Sequence, residues 1–180
     1  MSLAYALGFV FGVAVAAGII WLVKKFIWKG QKAKYDERQL VEQGKAGKIG
    51  MYALMIYNVC YGLIDMVFGI ENVSTFTAMV GGCIFAVLVY ACVCIWNEAY
   101  FPINQSSKKW IILVAGLGIL NIVIAVMNRS HLESILDGYA INFFAGIMCI
   151  VVDIVAIAKF QLVKKAAVED DADDEDEIEA

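Results

Sequence analysis

Five runs of apolar residues follow one another along the chain, with polar segments between them. They cover residues 3–23, 49–69, 76–96, 110–127 and 139–160. Each run is close to the ~20 residues that an α-helix needs to cross the ~30 Å hydrocarbon core of a bilayer. The pattern predicts an all-α, polytopic integral membrane protein with five transmembrane helices, and it assigns residues 1–168 to the membrane domain.

The composition supports a membrane environment. Hydrophobic residues make up 62% of the 180 residues, and the mean hydropathy is +0.74. A soluble domain contains ~45–50% apolar residues. This excess, together with the short polar segments, argues against a separate soluble domain.

The end of the chain, residues 169–180, has the opposite character. It holds nine of the 18 acidic residues and a single large apolar side chain, Ile178. Such a segment buries too little apolar surface to offset the entropy of folding, so a disordered acidic cytoplasmic tail is predicted. The nine remaining acids stand against all 14 bases, which gives residues 1–168 a net charge of +5.

Basic residues are concentrated between the first two apolar runs. Eight of the 14 lie there: Lys24, Lys25, Lys29, Lys32, Lys34, Arg38, Lys45 and Lys48. With five spans, one side of the membrane receives 13 bases and the other receives only Arg129. Because cytoplasmic loops carry the excess of Lys and Arg, we expect a multi-pass protein of the plasma membrane with its N-terminus outside and its C-terminus in the cytoplasm. The eight bases are also expected to bind anionic lipid headgroups at the inner face.

Two runs carry small residues at intervals of four. The first run has Ala4, Gly8, Gly12 and Ala16, and the third has Ala78, Gly82 and Ala86. On a helix this spacing forms a smooth stripe that lets two backbones approach closely in lipid. The stripes predict packing faces, within the protein or between copies, although Ala- and Gly-rich segments also produce such spacing by chance.

Five Asn and Asp residues lie inside the predicted spans: Asn58, Asp65, Asn121, Asn142 and Asp153. At 1.5 Å per residue, Asn58 and Asp153 lie at similar depths, and so do Asp65 and Asn142. Each pair is therefore a candidate for a hydrogen bond between the second and fifth spans. Two roles are open for these residues: joining helices by hydrogen bonds, or forming a path for protons or ions.

The polar segments show no recognised catalytic arrangement. His131 with Glu133 and Asp137 is too loosely spaced to specify a metal site, and the five cysteines all lie in apolar runs. No cofactor, metal or nucleic-acid partner is predicted. Asp36 followed by Gln39 is typical of a helix start, and it predicts either a short interfacial helix or an extension of the second span.

A resemblance to a known group rests on the segment before the second span. The residues Tyr35-Asp36-Glu37-Arg38-Gln39 and Gly44-Lys45-Ala46-Gly47-Lys48 resemble those of small multi-spanning membrane proteins of Firmicutes, families without an assigned activity. Some of those proteins are similar to ones encoded beside small helix-turn-helix regulators or exporters. The resemblance covers residues 20–60, implies a bacterial plasma membrane and identifies no functional residue.

The sequence thus favours a non-enzymatic membrane protein that acts through helix association, as a regulatory or accessory subunit of a membrane complex. Its expected partners are the anionic bilayer surface and either a second copy or another membrane protein. The alternative is a small ion or solute transporter or channel subunit that uses Asp65 and Asp153 within the membrane.

Overall fold

A computed structural model describes residues 18, 21, 25, 33–70, 74–104, 106–127 and 140–178, with side chains described as far as residue 165 in the last range. The elements in these ranges are four α-helices: α1 (Glu37–Phe68), α2 (Thr75–Trp96), α3 (Ser107–Met127) and α4 (Ala140–Ile178). All four are long and apolar enough to cross a membrane, α4 through its segment Ile141–Lys165. The all-α class is therefore confirmed, with four candidate spans. The predicted span 3–23 lies outside the described residues except for Gly18 and Trp21.

Helix α1 begins 12 residues before the predicted second span. Its N-cap is Asp36, whose carboxylate accepts a hydrogen bond from the Gln39 N–H (2.6 Å), while the Gln39 side chain accepts one from the Asp36 N–H (3.2 Å). This reciprocal capping box satisfies two N–H groups that the first turn leaves unpaired. The helix continues through Gly44 and Gly47 without interruption, so the basic segment around Arg38 extends the span.

Helix α4 continues past its predicted end at residue 160. Its backbone is helical as far as Ile178, across most of the segment for which the sequence predicts disorder. A physical reason favours this difference: the segment prolongs an existing helix, so that no new nucleus is required.

The helices pack in the spatial order α1, α2, α4, α3. Helix α2 contacts α1 on one side and α4 on the other, and α4 also contacts α3; no other pair of helices packs within the described ranges. A buried cluster of Ala91, Ile95, Val152 and Ala156 joins α2 to α4. Within the described part of the chain, helices α1 and α3 therefore lie on the two flanks, each with a single helical neighbour.

Small residues set the distance between α1 and α2. The Tyr57 hydroxyl donates to the Ala78 carbonyl (3.1 Å), and its ring lies over Gly82, where an added Cβ would come within 2.7 Å of the ring. Ala78 and Gly82 are buried, and the Ala86 carbonyl lies 3.1 Å from where a Cβ on Gly50 would stand. The structure thus places the predicted stripe of α2 in its contact with α1.

The contact between α3 and α4 is built on two glycines. A Cβ added to Gly146 would lie 2.6 Å from the Ile122 side chain and 3.0 Å from the Gly118 carbonyl oxygen. A Cβ on Gly118 would lie 2.9 Å from the Cys149 Cβ. Neither glycine belongs to a stripe that the sequence singles out, so this close approach is visible only in the structure.

Candidate functional site

A short loop after α2 gathers most of the polar contacts between separate segments. Helix α2 ends in a Schellman motif: the Glu98 N–H donates to the Ile95 carbonyl (3.1 Å), and the Ala99 N–H donates to the Cys94 carbonyl (2.8 Å). This motif requires a left-handed residue after the helix and usually uses glycine there. Glu98 takes that position with φ 58°. A charged side chain therefore occupies a left-handed backbone conformation that glycine would adopt at a lower cost.

The first turns of α1 hold this loop in place. The Gln39 side chain donates to the carbonyls of Glu98 (2.9 Å) and Phe101 (3.1 Å), and the Gln43 side chain donates to that of Ala99 (2.8 Å). Ala99 is completely buried. Gln39 therefore caps its own helix and also fixes the backbone that leads towards α3.

A lysine of α4 contacts the loop after α2. The Lys159 ammonium of α4 lies 3.2 Å from the Glu98 carboxylate and 5.7 Å from the centroid of the Trp96 ring. Aromatic side chains surround this point, with Phe101 packed on Phe160 and Tyr100 on Trp110. Burial, with smaller contributions from nearby cysteines and tyrosines, raises the pKa of Tyr100 to about 12, so its phenol is neutral at physiological pH.

The basic residues predicted to meet lipid are described in part. Lys34, Arg38, Lys45 and Lys48 are exposed. Lys45 pairs with Glu42 (2.6 Å), and the Lys25 ammonium lies 5.1 Å from the Trp21 ring centroid. Lys24, Lys29 and Lys32 lie outside the described residues, as does the stripe Ala4, Gly8, Gly12 and Ala16.

Asp65 has a structural role at the end of α1. Its carbonyl accepts the N–H of Gly69, which turns the chain with φ 60°, and its carboxylate accepts the N–H of Ile70 (3.1 Å). Asp65 is exposed and lies three residues before the helix ends. It is thus a polar group near the end of α1 that closes a turn.

Asn121 and Asn142 differ in their surroundings. The Asn121 side chain donates to the Leu117 carbonyl of its own helix (2.8 Å), which satisfies the amide without a neighbouring helix. Asn142 is half-buried near the start of α4. Neither asparagine joins two described helices by a hydrogen bond.

The two pairings predicted between the second and fifth spans do not form. Asn58 and Asp65 belong to α1, Asn142 and Asp153 belong to α4, and these helices do not pack against each other within the described ranges. Equal depth in the membrane was insufficient because α2 lies between the two helices. The proposed hydrogen bonds of Asn58 with Asp153 and of Asp65 with Asn142 are therefore wrong.

Asp153 and Asn58 differ in solvent exposure. The Asp153 side chain is buried, and its Oδ2 atom has no hydrogen-bond partner in the described part of the chain. Asn58 is exposed and likewise has no partner there. It lies ten residues before the end of α1, roughly 15 Å along the helix, which corresponds to the middle of a ~30 Å hydrocarbon core.

Asn58 belongs to a continuous exposed strip along α1, which we call the open face. Its members recur at intervals of three and four residues and all are exposed: Met51, Met55, Asn58, Gly62 and Asp65. No described atom other than the helix's own backbone lies within 4 Å of a Cβ placed on Gly62. The spacing in the sequence indicates this face, but its exposure depends on which side of α1 meets α2.

No three His, Cys, Asp or Glu side chains in the described ranges gather as metal ligands; His131 lies outside these ranges. Comparison of the chain with protein-family models, curated proteins and solved structures gave no match.

Proposed function

We propose that this protein is a non-enzymatic subunit of the bacterial plasma membrane that regulates or assists a membrane complex by helix association. The observation that carries the proposal is Asn58, an amide exposed on α1 near mid-membrane depth. The partner that fits is a transmembrane helix, from a second copy or from another protein, with a polar side chain at the same depth.

The energetics of lipid favour this role for the open face. In hydrocarbon an unpaired amide is costly, and a hydrogen bond to another helix supplies ~0.6 kcal/mol on average. Gly62 lies one turn further along and has no Cβ, so a second backbone approaches closely there. Asn58 and Gly62 together provide a hydrogen-bonding group and a smooth surface on the same side of α1.

The matched test replaces each of two asparagines by leucine. Asn58→Leu should release the protein from its complex when native membranes are solubilised gently, because the amide is lost from the open face. Asn121→Leu should leave the complex intact, since that amide bonds within its own helix. Sedimentation of the extracted protein measures both; release by both variants or by neither would contradict the proposal.

The proposed orientation puts the N-terminus outside and the C-terminus in the cytoplasm. Charge placement supports it: in the described part the lysines of α3 and α4 lie at the end where α1 begins, and Asp65 lies near the opposite end. The end that carries the lysines therefore suits the cytoplasmic, anionic membrane surface.

A labelling experiment tests this orientation. In a variant without native cysteines, Cys introduced at Ser106 and at Ser130 should be labelled from opposite sides. Labelling of both from outside intact cells would reject the arrangement.

A second candidate is a small transporter or channel subunit, which the unpartnered Asp153 oxygen favours. The geometry ranks it lower, because Asp65 closes a turn and the helices that carry the two acids do not pack together. Proteoliposomes provide the test. Ion flux that is present with the wild-type protein and absent with Asp153→Asn, while the fold is retained, would replace the association proposal.

A further inference from the structure

A partly open cavity of about 230 Å³ lies where the loop after α2 meets α3 and α4. Its walls combine apolar side chains, among them Phe101, Phe160 and Val163, with three polar ones: Glu98, Ser107 and Lys159. A complete small-molecule ligand usually occupies ~300–1,000 Å³. The cavity is therefore the right size for part of a larger molecule whose remainder stays outside.

Lys159 is the one base among the residues that line the cavity, and four more lysines lie within two residues of lining residues in the sequence. Lys159 reaches it with a side chain that is 23% exposed. Ser107 is the first residue of α3 and is followed by Lys108 and Lys109, while Val163 is followed by Lys164 and Lys165. The start of a long helix also carries partial positive charge. Glu98 is the one acid among the residues that line the cavity.

The position of the cavity matches the headgroup level of a bilayer. Trp96 and Trp110 lie at this end of the bundle, and tryptophan rings favour the interface between headgroups and hydrocarbon. Apolar walls next to a lysine at that level complement a lipid, with a chain against the rings and a negative group beside the ammonium. Inorganic anions would use the lysine and leave the apolar walls uncovered.

We propose that this cavity binds one anionic phospholipid, with its phosphate at Lys159 and the upper part of an acyl chain against Phe101 and Phe160. This proposal does not depend on the proposed helix association. Glu98 competes with the phosphate for the same ammonium. Neutralising Glu98 should therefore strengthen lipid binding, whereas neutralising Lys159 should weaken it.

The charge test uses the purified full-length chain with phosphatidylglycerol and phosphatidylcholine as probes, with bound lipid counted by native mass spectrometry. Lys159→Gln should lower the affinity for phosphatidylglycerol about fivefold, as the loss of one base near the surface implies. Glu98→Gln should raise that affinity. Both variants remove the same ion pair, so a purely structural effect would change both affinities in the same direction and would overturn the proposal.

The shape test keeps all charges. Val163 lines the cavity and is 45% exposed, so Val163→Trp enlarges a lining side chain and should abolish the preference for phosphatidylglycerol over phosphatidylcholine. Leu162→Trp adds the same ring at the preceding residue, which is 53% exposed and is not part of the lining, and should retain the preference. Equal effects of the two variants would overturn the proposal. Displacement of phosphatidylglycerol by inorganic phosphate would assign the cavity to a free anion instead.

Discussion

Helices α4 and α1 have similar apolar spans, yet they occupy opposite environments. Among the described helices, α4 contacts two others and encloses Gly146 and Asp153, whereas α1 contacts one and leaves Gly62 and Asn58 exposed. Gly146 is therefore a point of close contact inside the fold. Gly62 is available surface among the described residues, and the polar Asn58 one turn away is available to a partner.

The largest expected effect distinguishes these two glycines. Gly146→Ala places a methyl group within 2.6 Å of Ile122 and 3.0 Å of the Gly118 carbonyl, so α3 and α4 must separate. We expect a loss of about 1–3 kcal/mol in the free energy of unfolding, measured by denaturant titration in detergent micelles.

Gly62→Ala is the matched control for that experiment. No neighbouring atom of the described residues lies within 4 Å of its added Cβ, and alanine is the better helix former by up to ~1 kcal/mol. The isolated protein should therefore be unchanged or slightly more stable. A loss as large as that of Gly146→Ala would mean that α1 has an inner neighbour at this position, and the contrast between the two helices would fail.

A smaller effect is expected where α1 is attached to the rest of the fold. Gln39→Ala removes two hydrogen bonds to the loop after α2 and half of the capping box. At ~0.5–1.5 kcal/mol for each bond, the loss of three bonds should be about 2–3 kcal/mol, against about 1 kcal/mol for Gln43→Ala, which removes one. Hydrogen exchange of residues 97–102 should accelerate in the same order. The reverse order would show that Gln39 does not hold the loop.

Sequence reasoning identified what depends on local pattern. The apolar runs located the four described spans, and the pair Asp36 and Gln39 located the start of α1, because both signals act within a few residues. The sequence did not predict which helices pack together, because the depth of a residue in the membrane does not indicate which helix lies beside it. For that reason the proposed bond between Asn58 and Asp153 was wrong.

The residues that the sequence did not indicate have one feature in common: their roles depend on contacts between segments distant in the sequence. Gly118 and Gly146 come from different helices, so their contact leaves no periodic trace in either segment. Glu98 occupies a position where the pattern for a helix end would predict glycine. Its conformation is compatible with the contacts of Gln39 and Lys159, both distant in the sequence.

The smallest effect concerns Glu98 itself. Glu98→Gly should relieve the cost of a left-handed residue, ~1–2 kcal/mol, while losing an exposed ion pair worth ~0–1 kcal/mol. The net expectation is a gain of up to about 1 kcal/mol in unfolding free energy. Glu98→Gln keeps the left-handed cost and should produce no gain. An equal gain in unfolding free energy from both variants would mean that the effect comes from removing the charge.

The most direct test of association compares two equally exposed apolar positions by photo-crosslinking in native membranes. A photoreactive residue at Met55, 56% exposed on the open face of α1, should form a protein adduct, and the additional change Asn58→Val should remove it. The same group at Ile154, 59% exposed on α4, should react with lipid alone. Protein adducts from both positions, or from Ile154 alone, would contradict the account.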